Sequence, residues 1–187
     1  DGTPKEMLTE KGREHIKGLQ GELWSETIKS EEMMQYYIFP KMFGLAERAW
    51  NASPAWADLT EPVTDKKTQK KYLKKDEITR DLAAERDAAY NAELGKYLTV
   101  IGRKELPTLA SLGVNFRIAP PGIEIINDSL HISNSVPGTD VFYTTDGSVP
   151  TAASARYEGP VPVSGTNLKA ITIGYGKESS VSEYITE

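Results

Sequence analysis

Gly18-Leu19-Gln20-Gly21-Glu22-Leu23-Trp24-Ser25-Glu26 carries most of the fold assignment of this chain. With the two residues before it, this run is short, glycine-interrupted and partly apolar, which is typical of a buried strand. Successive side chains of a strand alternate between its faces, so residues two apart point the same way. Trp24 and Glu26 are therefore predicted to lie side by side at the C-terminal end of a strand.

Trp24 and Glu26 are the candidate site residues. A flat indole packs against the C–H face of a pyranose ring, and a carboxylate accepts hydrogen bonds from sugar hydroxyls. The same pattern also fits a core tryptophan beside a surface glutamate in a loop, because most aromatic side chains simply pack. The residue pattern alone leaves both interpretations open.

A helix is predicted directly after this stretch. Ser30 is a suitable N-cap, and the acidic residues that follow it suit the positive end of a helix dipole. Apolar residues then recur at helical spacing over 33–50, and Pro40 is expected to kink this helix or to leave one carbonyl unpaired. Asn51 begins a proline-containing loop.

A second helical stretch is predicted over 65–101, followed by Gly102 in the position of a C-terminal cap. One more short helix is predicted over 106–112, closed by Gly113. The charge pattern also changes near Gly113: residues 1–113 hold 18 basic and 19 acidic residues, whereas residues 114–187 hold 4 and 8. We therefore place a domain boundary there.

The second part of the chain reads as β structure. Short runs rich in Val, Ile, Thr and Tyr alternate with turn signals, among which Asp146-Gly147 is typical of a hairpin. Strands this short and this closely spaced indicate a small antiparallel sandwich. The predicted strands cover residues 123–126, 130–133, 141–144, 161–163, 168–173 and 181–185.

Composition excludes several classes of protein. The chain has 187 residues and a net charge of −5, which argues against a nucleic-acid-binding protein. No apolar run is long enough to span a bilayer. The absence of cysteine excludes disulfides and thiolate metal sites. His15 and His131 have no ligand partner at a useful spacing, so we expect no metal.

Four segments, in the same order along the chain, resemble segments of β-N-acetylhexosaminidases of glycoside hydrolase family 20. They are the stretch from Gly18 to Glu26, the helix motifs Tyr37-Ile38-Phe39-Pro40-Lys41 and Ala46-Glu47-Arg48-Ala49-Trp50, and the later segment Phe142-Tyr143-Thr144-Thr145-Asp146-Gly147-Ser148-Val149-Pro150-Thr151. The residues from Leu106 to Gly122 are similar to the family's exit segment. Lys41 departs from the family pattern, which usually has Arg after the proline.

The resemblance implies an α+β fragment of a larger enzyme. Residues 1–113 would hold the last strand and helix of a (β/α)8 barrel with a helical extension, and residues 114–187 a small antiparallel β-sandwich. Trp24 would form part of the wall of the terminal-sugar pocket and Glu26 would hold hydroxyls of the same sugar, at the C-terminal end of the eighth strand, where such barrels build their sites.

The family's mechanism is substrate-assisted: the acetamido oxygen of the substrate attacks the anomeric carbon, an Asp orients it, and an adjacent Glu is the general acid and base. The resemblance implies a terminal N-acetylhexosamine as substrate, no metal or organic cofactor, and a periplasmic, cell-surface or secreted location. No signal peptide is visible, and the chain begins Asp1-Gly2-Thr3 without an initiator Met. We expect it to be a piece of something longer.

The family's His-x-Gly-Gly-Asp-Glu motif is absent from this sequence. Asp76-Glu77 is an adjacent acidic pair, but it lies in a run of lysines and is best interpreted as a charged helix face. A barrel takes about 250 residues, so we expect most of it to lie elsewhere. The fragment alone is expected to be inactive, and its exposed barrel surface is expected to drive self-association.

The alternative to an enzyme segment is a non-catalytic carbohydrate-binding or domain-docking module, made of a helical segment and a β-sandwich. The sequence immediately upstream of Asp1 would separate the two hypotheses, since a His-x-Gly-Gly-Asp-Glu motif there would favour the enzyme.

Overall fold

The structure is a computed structural model that describes residues 5–6, 9–52, 54, 56, 63–64, 71–73, 80–163 and 167–184. The chain divides into two compact units. The first holds Asp1–Glu22 and Gly44–Lys96, and the second holds Leu23–Phe43 and Tyr97–Glu187. Each unit is described by itself below.

In the described part of the chain, helices dominate up to residue 111 and antiparallel strands dominate from residue 122 onward. The helices are α1 (Glu10–Glu14), α2 (Glu31–Ile38), α3 (Lys41–Trp50), α4 (Arg80–Val100) and α5 (Leu106–Ser111), with a π-helical turn at Ile101–Glu105. The strands are β1 (Lys5–Glu6), β2 (Val63–Thr64), β3 (Lys71–Leu73), β4 (Gly122–Ile126), β5 (Ser129–Ser133), β6 (Asp140–Thr144), β7 (Ala155–Arg156), β8 (Val161–Pro162), β9 (Lys169–Gly174), β10 (Lys177–Glu178) and β11 (Ser182–Glu183).

The first unit holds a small sheet in which β3 pairs with both β1 and β2. The prediction of one helix over 65–101 is therefore wrong at its start: α4 begins at Arg80, and Lys71–Leu73 is a strand. The reason is partly non-local, because β3 satisfies its backbone groups by pairing with β1, far away in sequence, as well as with the nearby β2. The predicted helix face at Asp76-Glu77 lies outside the described residues.

The predicted strand at Gly18–Glu26 does not form. Residues 16–26 are irregular, and their apolar side chains are exposed: Ile16 by 54% and Trp24 by 72%. An extended segment becomes a strand only when a neighbour pairs with its N–H and C=O groups. Among the residues that the structure describes, no strand pairs with this segment.

The helix predicted over 33–50 forms as two helices separated at Pro40. Ser30 caps α2 as expected, because its Oγ accepts a hydrogen bond from the Met33 N–H at 3.2 Å. α2 ends at Ile38 and α3 begins at Lys41. A proline lacks the N–H that a continuous helix needs, and its effect here is larger than the predicted kink, because the helix is divided in two.

Gly102 does not cap a helix, contrary to the prediction. The chain continues through the π-helical turn into α5, and Gly102 is buried within it. A Cβ at this position would overlap the carbonyl oxygen of Pro137. Glycine is therefore required here for close packing rather than for its dihedral freedom. Gly113, in contrast, closes α5 as predicted, with a φ of 70°.

The last part of the second unit is an antiparallel module of two sheets. One sheet has the order β10-β9-β6-β7, with β11 also paired to β9, and the other has the order β4-β5-β8. The two sheets share one apolar core, to which β5 contributes Leu130 and Ile132, β6 Val141 and β9 Ala170. This arrangement is consistent with the predicted β-sandwich. The sequence did not indicate the short strands β7 and β10.

A second core joins the helical segment of this unit, residues 97–119, to the module formed by β4–β11. Ile101, Leu106, Leu109, Phe116 and Ile118 pack with Val136 of the module, and Phe39 and Phe43 pack against the same cluster. Tyr175 donates a hydrogen bond from its hydroxyl to the carbonyl of Gly102. The module and the helical segment therefore form one packed body.

None of the helices in the described part of the chain is both long enough and apolar enough to cross a membrane.

The close contact at Gly102 makes a testable prediction about stability. We expect Gly102→Ala to lower the free energy of unfolding by about 1–3 kcal/mol, because a backbone carbonyl blocks the added methyl group. Gly95→Ala is the matched control: it lies in α4, and a Cβ there would meet nothing within 4 Å. It should instead stabilise the helix by about 0.5–1 kcal/mol. Urea unfolding followed by circular dichroism measures both changes, and equal midpoints would contradict the assignment.

Candidate functional site

Trp24 and Glu26 lie on an exposed bend in front of α2. Glu26 is exposed and the Trp24 ring is largely open to solvent. The bend is closed by a hydrogen bond from the Ile28 N–H to the Ser25 carbonyl at 3.1 Å. The structure thus places both side chains near one turn, without the strand alternation that the sequence predicted.

The first turn of α2 fixes the end of this bend. Ser30 accepts from the Met33 N–H through its side chain and from the Met34 N–H through its carbonyl, at 3.2 and 3.1 Å. The Glu32 carboxylate accepts hydrogen bonds from the Glu32 backbone N–H and from the Ser30 hydroxyl, and these bonds lower the pKa of Glu32. The carboxylate therefore stays ionised at the positive end of the helix, where it is favourable.

Asn115 connects α2 to the rest of the second unit. Its backbone N–H donates to Gln35 Oε1 at 2.6 Å, and its side-chain Nδ2 donates to the carbonyl of Glu32 at 2.9 Å. Its Oδ1 accepts from Lys177 Nζ at 2.8 Å. The sequence analysis did not single out Asn115 or Lys177. Asn115 lies in the recognised exit segment, but no local pattern marks Lys177.

The other polar residues considered in the sequence form bonds that stabilise the fold. Arg48 bonds to Glu93 at 3.1 Å and to Glu47 at 3.4 Å, as expected for a structural pair. Asp146 Oδ1 accepts from the N–H and the hydroxyl of Ser148, which lowers the pKa of Asp146 and explains it as a turn residue.

The two histidines also lie in structural positions. His15 follows α1, and His131 lies in β5 opposite Glu124. In the described part of the chain, no three His, Asp or Glu side chains cluster in a way that could hold a metal ion.

A cavity of about 270 Å³ lies apart from this bend, between the helical segment and the module. Its walls are mostly apolar and include Pro40, Tyr97, Ile101 and Val136, with Arg117 also lining it. Neither Trp24 nor Glu26 contributes to it. The candidate site is therefore an exposed surface rather than a closed pocket.

Chemically, the bend presents an apolar ring face and a carboxylate two residues apart. An exposed indole can stack on a flat apolar ligand face, and an ionised carboxylate accepts hydrogen bonds from hydroxyl groups. Among the residues that the structure describes, neither group is paired with an acid or base that would support bond cleavage, so this bend suits ligand binding rather than proton transfer.

Comparison with known proteins identifies two segments of this chain. Residues 2–53, which include the bend and α2, match the glycosyl hydrolase family 20 catalytic domain. Residues 120–184 match the chitobiase/β-hexosaminidase C-terminal domain. Both are domains of glycoside hydrolases.

Three relatives agree with this assignment. An N,N'-diacetylchitobiase of Vibrio harveyi is 28% identical over 130 residues, which is 70% of this chain and 13% of that protein. A β-hexosaminidase of Vibrio vulnificus is 29% identical over 135 residues, covering 70% and 15%. β-Hexosaminidase B of Pseudoalteromonas piscicida is 50% identical over 34 residues, covering 18% and 4%.

The two domain matches and the relatives named chitobiase and β-hexosaminidase confirm the resemblance to family 20 hexosaminidases that is seen in the sequence. The chain spans 13% and 15% of the length of the two relatives that match most of it.

The cap of α2 gives a prediction that can be read by titration. Ser30→Ala removes one of the hydrogen bonds that lower the pKa of Glu32, so we expect that pKa to rise towards its ordinary value. Because the folded-state pKa is the lower one, ionised Glu32 stabilises the fold at neutral pH, and this contribution is lost as the pH falls through the folded-state pKa. Carboxyl-carbon NMR measures the change. Ser180→Ala is the control, and an equal shift in both variants would contradict the cap assignment.

Proposed function

We propose that this chain is the part of a β-N-acetylhexosaminidase that supplies Trp24 and Glu26 to the pocket for a terminal N-acetylhexosamine. The observation that carries the proposal is the exposed indole and carboxylate on one bend, inside the segment that matches the family 20 catalytic domain. The relatives named chitobiase and β-hexosaminidase support the same class of substrate.

Each residue has a specific role in this proposal. The Trp24 ring packs against the apolar face of the sugar, and Glu26 accepts hydrogen bonds from its hydroxyls. The substrate's acetamido oxygen attacks the anomeric carbon, while an Asp-Glu pair outside this sequence orients it and protonates the leaving group. This chain therefore contributes binding and orientation rather than acid–base chemistry.

Residues 16–26, which lead into this bend, would become the eighth strand when the rest of a barrel is present. In that setting neighbouring strands would pair with the backbone of residues 16–26 and cover Ile16, Leu19 and Leu23, which are exposed here. Trp24 and Glu26 would then share one face of the strand at its C-terminal end. The proposed domain boundary stays at Gly113, and the proposed location is periplasmic, cell-surface or secreted.

The surface of the β-module argues against the alternative of a carbohydrate-binding module. In residues 122–163 and 167–184 no Trp, Tyr or Phe side chain is exposed, and Ile126 and Val149 are the exposed large apolar residues. Sugar-binding surfaces rely on aromatic side chains. A docking role for the module fits these residues better.

The proposal is tested by kinetics of the intact enzyme that carries this chain. Glu26→Gln removes a charge-assisted hydrogen bond, which contributes roughly 1.5–3 kcal/mol, so kcat/KM for an aryl N-acetyl-β-glucosaminide should fall at least about tenfold. Trp24→Ala should cost at least as much through lost packing on the sugar. Glu158→Gln, an exposed carboxylate of the module, is the matched control and should keep parental kinetics.

Two results would contradict the proposal. One is parental kinetics in both Trp24→Ala and Glu26→Gln. The other is turnover by the 187-residue chain alone that Glu77→Gln abolishes, since this would give the acid–base role to the Asp76-Glu77 pair.

We also propose that the isolated chain self-associates. The second unit alone exposes Leu23, Trp24, Met33, Met34 and Met42, and such apolar surface favours association. Sedimentation velocity at micromolar concentration should show dimers or larger species. Met34→Lys should shift the distribution towards monomer, whereas a monomeric parent chain would contradict the proposal.

A further inference from the structure

The hairpin formed by β9 and β10 is the part of the module that reaches the helical segment. Its turn consists of Tyr175 and Gly176, both with positive φ, at 54° and 72°. Two such residues between paired strands form the tight turn whose twist matches that of the sheet. Tyr175 and Lys177 both extend from this turn to the helical segment.

Lys177 makes two contacts with that segment. Its Nζ donates to Asn115 Oδ1 at 2.8 Å and lies 5.3 Å from the centre of the Phe116 ring. Phe116 is buried in the core shared by the helical segment and the module. The ammonium is therefore held by a polar acceptor on one side and an aromatic face on the other.

Asn115 passes this restraint on to the first turns of α2. The carbonyl of Glu32 accepts from Asn115 Nδ2, and Gln35 Oε1 accepts from the Asn115 N–H. Glu32 lies two residues after the Ser30 cap. The contact thus fixes the helix start that directly follows the Trp24–Glu26 bend.

We propose that Lys177 and Asn115 are positioning residues: through the contact Lys177–Asn115–Glu32, the C-terminal module sets the start of α2 and with it the orientation of Trp24 and Glu26. The inference rests on the proposed function, since it needs this bend to bind the sugar. It gives the module a role in the site although the described part of the module has no exposed aromatic side chain.

The direction of the effect follows from the hydrogen-bond geometry. Lys177 fixes the Oδ1 end of the Asn115 amide. Without this donor, the Asn115 side chain can rotate more freely. Asn115 Nδ2 would then leave the Glu32 carbonyl part of the time, and the first turn of α2 would open more often. The module itself keeps its own core, so the effect should be local.

Hydrogen exchange in the 187-residue chain tests the restraint. Lys177→Met keeps the apolar stem and should speed exchange of the Met33 and Met34 amides about fivefold, as expected for one lost hydrogen bond. Amides of β4 and β5 should be unchanged. Lys169→Met is the matched control, because Lys169 pairs with Glu183 at 2.8 Å within the module. Unchanged exchange at α2, or faster exchange throughout the chain, would overturn the inference.

Kinetics of the intact enzyme test the functional part. Lys177→Met should lower kcat/KM about three- to tenfold, mainly through a higher KM, because the pocket wall is misplaced rather than removed. Lys177→Arg keeps a donor and should restore parental values, and Lys169→Met should keep them. Parental kinetics in Lys177→Met, when Trp24→Ala and Glu26→Gln are impaired, would overturn this inference alone. Parental kinetics in the latter two would overturn the proposed function.

Discussion

Three polar atoms of Asn115 form hydrogen bonds, and each bonds to a different residue. The backbone N–H and Nδ2 hold α2, and Oδ1 holds the β9–β10 hairpin. Leaving a polar atom of a half-buried amide without a partner costs free energy of folding. Each of these hydrogen bonds therefore depends on the others being kept. Phe116, the next residue, enters the core shared by the helices and the module. One dipeptide therefore satisfies polar groups on one side and fills apolar space on the other.

Features governed by nearby residues could be predicted from the sequence. Ser30 caps the helix that follows it, Pro40 separates two helices, and Gly113 closes α5. Each depends on hydrogen bonds or dihedral limits within about four residues. The main strands of the module were also predictable, because alternating side chains and turn residues repeat every few positions.

Features governed by distant residues could not be predicted. Gly102 resembles a helix cap, but its role is set by Pro137, which is 35 positions away in the chain. Residues 16–26 have a strand pattern, yet a strand needs a paired neighbour. In the candidate site, Trp24 and Glu26 were predicted from a local motif and a family resemblance. The Lys177–Asn115 contact spans 62 positions and leaves no local pattern.

The turn of the β9–β10 hairpin also limits how far the module can act as a transferable domain. Tyr175 adopts a left-handed conformation that Gly or Asn would adopt more easily. Its hydroxyl is satisfied by the carbonyl of Gly102, in the helical segment. A module moved to another enzyme would keep the unfavourable dihedral but lose the acceptor that compensates for it. We therefore expect recombination between enzymes to move the module together with its helical segment.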